Sequence, residues 1–108
     1  MTIDFAARPG AGEYGDFHAG YVTAVPAGDI RETLERESAA AAAFYGAIPE
    51  ERADASYGPG KWTVREVLAH IADGERVFAY RALRFGRGDR TPLPGFDQDL
   101  WVPESHAA

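Results

Sequence analysis

The sequence predicts an all-α protein built on two long antiparallel helices, with a short helical segment ahead of them. Three observations lead there. Apolar and small residues recur at the helical period over 30–48 and again over 64–85. Each stretch opens on a polar residue followed three positions later by glutamate, Asp29 with Glu32 and Thr63 with Glu66, the pattern of a reciprocally capped helix start. No stretch alternates apolar and polar residues as a half-buried strand does.

The first 28 residues read as a packing segment. Pro9, Gly10, Gly12, Gly15, Gly20 and Pro26 break any long helix, while Tyr14, Phe17, Tyr21 and Val22 suit a helical turn or two laid on something larger. The first long helix follows from Ile30 to Ile48, with Asp29 as N-cap and Pro49 as the stop. Its alanine run, Ala39 to Ala43, suits helix but buries little area. Residues 49–61 form a connector, since Gly58-Pro59-Gly60 cannot continue a helix.

The second helix runs from Val64 to about Phe85. Thr63 and Glu66 make its capping box, and Trp62 can staple onto Val67. Arg84 and Arg87 suit the negative end of the helix dipole, and Gly86 and Gly88 permit the stop. Residues 89–108, with Pro92, Pro94, Gly95 and Pro103, read as an ordered loop-like tail anchored by Leu93, Phe96, Leu100 and Trp101.

Composition narrows the function classes. At 108 residues the chain is one small domain or part of one. A net charge of −6 without a basic stripe argues against nucleic acid as a partner. With no cysteine, disulfide and thiolate chemistry by the chain itself are excluded. No apolar run reaches the ~18 residues of a membrane span, and the N-terminus lacks a signal-peptide pattern. A cytoplasmic chain is expected.

The second helix carries the candidate chemistry. Glu66 precedes His70 by four residues and Asp73 follows it by three, so both carboxylates can lie beside the imidazole. A neutral imidazole is a common ligand for zinc, nickel or iron, and a nearby carboxylate can ligate or orient the ring. The plainer alternative is a half-exposed histidine on a charged flank, with Glu66 engaged as a cap. One histidine with two acids falls short of the three protein ligands metal sites usually have, and neither His18 nor His106 stands at a diagnostic spacing. The wheel assigns Val64, Val67, Leu68, Ile71, Phe78, Ala82 and Phe85 to the buried face. Glu75 falls inside that face and is expected to find a basic or aromatic partner there. Arg81, Arg84 and Arg87 read either as a grip for an anion or as a solvated face paired with local acids. Trp62, Phe96 and Trp101 read as pocket lining or as core.

These residues resemble the DinB-like family, which includes YfiT-type proteins described as metal-dependent hydrolases and thiol-transferase relatives. The likeness rests on Gly60-Lys61-Trp62-Thr63-Val64-Arg65-Glu66, on His70 with Asp73, Glu75 and Arg76, on Arg81-Ala82-Leu83-Arg84, on Gly88-Asp89, and on Pro92-Leu93-Pro94-Gly95-Phe96-Asp97. Glu13-Tyr14, Tyr21-Val22 and 25–30 look like the family's opening. The resemblance implies half of a four-helix up-down bundle, commonly dimeric, whose divalent metal is held by one histidine on the second helix and two more on a later one. His70 matches the first; no His-x-x-x-His occurs in the chain. The expectation is therefore a DinB-like domain truncated after its second bundle helix, with His70 as the metal ligand candidate and Glu66 and Asp73 as supporting groups. The activity implied is a metal-dependent hydrolase or thiol transferase on a small molecule, inactive in this chain alone, with zinc, nickel or iron bound weakly or not at all. The alternative is a non-catalytic scaffold remnant or self-associating module. A two-helix unit exposes the face meant for further helices, so a homodimer or other self-association, or marginal stability, is expected.

Overall fold

The computed structural model describes residues 2–108. The described chain is helical, without strands, and falls into two compact units, Met1–Ala47 and Ile48–Ala108. In the first unit a 3-10 turn, Asp16–His18, leads into α1, Ala19–Ala24, and then α2, Ile30–Gly46. The second unit holds a 3-10 turn, Glu50–Arg52, the long α3, Val64–Gly86, and α4, Gln98–Glu104. None of these helices is long and apolar enough to cross a membrane.

The first unit is tied together by polar contacts to backbone. Phe5 O accepts from Ile30 N at 3.0 Å, holding the N-terminal strap to the start of α2. Arg8 donates to the carbonyls of Val22 and Val25, at the C-terminal end of α1, where carbonyls lack helical partners. The Arg31 guanidinium stands 3.8 Å over the Phe5 ring. Asp29 caps α2 by accepting from Arg31 N at 2.8 Å. The expected box with Glu32 does not form. Instead Arg31 turns back onto Asp29 with two further hydrogen bonds, at 3.1 and 2.6 Å, a charged two-pronged pairing that occupies both carboxylate oxygens. α2 ends at Gly46, two residues before the expected Ile48. The residue before Pro49 is disfavoured in helical geometry, and Ala47 closes the last turn onto Ala43 O at 3.1 Å.

In the second unit the connector folds back on the start of α3. Val64 N donates to Ala55 O and Arg65 N to Ala53 O, both at 3.1 Å. Glu66 N donates to Thr63 Oγ1 at 3.2 Å and Thr63 N to Glu66 Oε1 at 3.4 Å. All four leading amides, the groups a helix start leaves open, thus have acceptors. Ala53 is buried beneath this fold-back at 8% exposure, and Arg65 braces it by binding Glu50 and, at 3.0 Å, Asp54.

Beyond α3 the chain reverses at Gly88, whose φ of 67° is the left-handed conformation that glycine tolerates best. Asp89 fixes the direction of the reversal. Its N–H donates to Arg84 O at 3.0 Å, its Oδ2 lies 2.6 Å from Arg84 Nε, and its Oδ1 accepts from Thr91 N at 2.9 Å. The tail is therefore laid along the Arg84 side of α3.

Two expectations are corrected here. Residues 89–108 are not all loop, because α4 occupies Gln98–Glu104 and packs on α3. Asp97 starts it by accepting from Asp99 N at 2.9 Å. Pro103 costs only one internal donor in so short a helix, and Val102, at 1% exposure, gives the helix its anchor. Leu100, expected to anchor the tail, is 68% exposed. The second correction concerns α3. Val64 and Val67 of the expected buried face are half-buried, but Leu68, Ile71, Phe78 and Phe85 are exposed, Phe78 to 65%. The half-buried side instead carries His70, Asp73, Val77, Arg81 and Arg84. Hydrophobic period marks a side that can be buried; the turn at Gly88 decided which side the tail covered.

Candidate functional site

The capping box assigns one of the three candidate groups. Glu66 Oε1 accepts from Thr63 N at 3.4 Å and from Thr63 Oγ1 at 3.2 Å. That carboxylate closes the helix start, so it is committed to structure. One turn later His70 is half-buried with its ring against the Trp62 indole, centroids 5.0 Å apart and planes at 47°. Trp62, expected to staple onto Val67, thus holds the imidazole. Asp73, a further turn along, is half-buried and faces a pocket.

That pocket, about 410 Å³, opens between α3 and the returning tail. Val77, Leu93 and Pro94 line its apolar part, and Phe96 and Trp101 form one wall, their rings stacked at 4.6 Å and 29°. Arg81 ties the tail down by donating to Pro94 O at 3.3 Å. Of the three aromatics read as pocket lining or core, Phe96 and Trp101 line it and Trp62 does not. Arg76 and Tyr80 also border it. Their part was not readable in sequence, since it depends on which side of α3 the tail takes.

Of the arginine series, Arg84 pairs with a local acid; Arg81 and Arg87 have no ion pair among the described residues. Arg84 lies against Asp89 and donates to the Tyr80 hydroxyl at 2.6 Å. The Tyr80 hydrogen bond, with the Asp89 charge behind it, raises the Arg84 pKa above its ordinary value. Hydrogen bonds from Thr91, aided by Arg84, hold the Asp89 carboxyl below the usual carboxylate range. Glu75 departs from expectation. It is exposed and has no ion pair or side-chain hydrogen bond among the described residues, because the face around it is exposed and imposes no desolvation cost.

As a metal centre the donor set does not fit. Among the described residues no three histidine, cysteine or acidic side chains come together to hold an ion. Asp73, three residues on from His70, forms no ion pair or side-chain hydrogen bond among the described residues, and Glu66 is engaged in the capping box. Three protein ligands are the usual minimum for zinc.

The model of a family described as the DinB superfamily matches residues 33–108, which include the block from Gly60 to Asp97. A protein of Oceanobacillus iheyensis named "putative metal-dependent hydrolase" is 32% identical over 56 residues. The match covers 51% of this chain and 32% of that relative, so the chain spans about a third of the curated protein it matches. No solved structure matches the chain.

Proposed function

The chain belongs to the DinB superfamily, and on that premise we propose that it is part of a metal-dependent hydrolase or thiol transferase acting on a small molecule, inactive on its own. One observation carries the reading. His70 packs on Trp62 on the half-buried side of α3 that also carries Asp73, one turn on, and Asp73 lines an apolar pocket, an arrangement that sets one imidazole a turn away from a small-molecule cavity. The relative named for metal-dependent hydrolysis supports the activity class. In this reading His70 contributes one metal ligand, Asp73 a neighbouring carboxylate, and the remaining ligands come from a second copy or another segment. The residues present do not complete a metal site, so no reaction step is drawn through one.

Calorimetric titration with zinc or nickel at pH 7 tests it. The chain alone should bind no tighter than roughly micromolar, since an isolated imidazole lacks the further ligands that hold zinc. Stoichiometric sub-micromolar binding that disappears in His70→Ala would contradict the claim that the site is incomplete. Metal binding indifferent to His70→Ala would remove His70 from it.

A second reading, a self-associating module, is favoured by the uncovered apolar stripe of Leu68, Ile71, Phe78 and Phe85 on α3. Light scattering on the same sample separates the two. Assembly without metal supports the module; a well-behaved monomer argues against it.

A further inference from the structure

The pocket of the second unit has a chemistry of its own, independent of the histidine beside it. Its volume lies within the range of small-ligand sites. Its surface is mostly apolar, and one wall is a flat aromatic plate made by Trp101 stacked on Phe96. A planar apolar body is what such a plate accepts best, by offset stacking on an exposed ring. Trp101 is 44% exposed, so part of it remains free for that contact.

Charge selects among planar molecules. Two guanidinium groups, Arg76 and Arg81, border the pocket against one carboxylate, Asp73. Arg81 is tethered to the Pro94 carbonyl. Arg76 is exposed and has no ion pair or hydrogen-bonding side-chain partner among the described residues, so its fork is available to a ligand. This local excess of positive charge stands out in a chain with a formal net charge of −6. A cation would meet two arginines. It would also lack an aromatic cage, since Phe96 and Trp101 face each other instead of surrounding a central point. A carboxylate would meet a guanidinium in the two-pronged geometry that pair prefers.

We propose that this pocket binds a small planar aromatic carboxylate, its ring system against Trp101, Val77 and Leu93 and its carboxylate on Arg76. The site shares Asp73 with the metal reading but does not depend on it, because neither His70 nor Glu66 lines the pocket.

Proton–nitrogen NMR titration of the metal-free chain with 2-naphthoate provides the test, beside two analogues of like shape, neutral 2-naphthalenemethanol and cationic 2-naphthylmethylamine. Saturable shifts should centre on Val77, Gly95 and the Trp101 indole. The carboxylate should bind tightest. Arg76→Gln should weaken it about tenfold, the scale of a lost charged hydrogen bond, and leave the neutral analogue nearly unchanged. The exposed position of Arg76 lets that variant keep its fold, which the same spectra verify. His70→Ala should bind 2-naphthoate as the parent does, so failure here is distinct from failure of the zinc titration. The proposal is overturned if no saturable shifts occur at the pocket, if the amine or alcohol binds as tightly, or if Arg76→Gln leaves carboxylate binding unchanged.

Discussion

Replacing Val102 by alanine should destabilise the second unit by about 2 kcal/mol. The side chain is 1% exposed, in a chain where Ala53 and Thr33 are the other buried residues among those described. Truncation removes two buried methyl groups at ~0.8 kcal/mol each. A cavity that fails to collapse adds up to about 1 kcal/mol. Alanine's better helix propensity returns roughly 0.5 kcal/mol. Against a total stability of about 5 kcal/mol for a marginal small domain, this is a large fraction. Urea unfolding followed by circular dichroism should show the midpoint falling by about 1 M, given slopes of ~1–3 kcal/mol per molar. Leu100→Ala, two residues away and 68% exposed, is the control; it should stay within about 0.5 kcal/mol of the parent. If the two variants lose equal stability, or Val102→Ala loses none, α4 is not anchored as described.

Two further outcomes follow from the caps. Thr63→Ala should cost about 1 kcal/mol by orphaning the Glu66 amide, whereas Glu66→Gln, which still suits a capping box, should be nearly neutral in the same urea titration; a large loss in the glutamine variant would give Glu66 a role beyond the cap. The Arg31 hydrogen bonds lower the Asp29 pKa from 3.8 to about 2. Its stabilising effect is therefore full above 3.8 and is lost as pH falls through about 2. A carboxyl-detected NMR titration should find that midpoint near 2, and a midpoint near 3.8 would mean the Asp29–Arg31 contact does not persist in solution.

The parts of the fold readable in the sequence are those written locally. The Thr63–Glu66 box fixed the start of α3 to the residue, because both halves of the interaction lie within one turn. The stop at Gly86 was readable for the same reason. α4 was obscured by Pro103, which looks like a breaker until its position near the end of a seven-residue helix is known. The burial of α3 could not be read, because the helix has two usable sides. The choice was made by a contact between Arg84 and Asp89 on the far side of a glycine turn. That His70 and Asp73 share one side of α3 was readable from their spacing alone. The attachment of His70 to Trp62 needed the connector's path, and the parts of Arg76 and Tyr80 needed the tail's.

The lie of the tail has a consequence for assembly. Residues from Leu93 to Trp101 already occupy the lane of α3 that runs on from His70 through Val77 to Arg81. An incoming helix seeking the same lane would have to evict them. Covering the stretch from Asp73 to Arg81 from outside would then be an exchange of occupants, with its own activation barrier, and slower than docking onto bare surface.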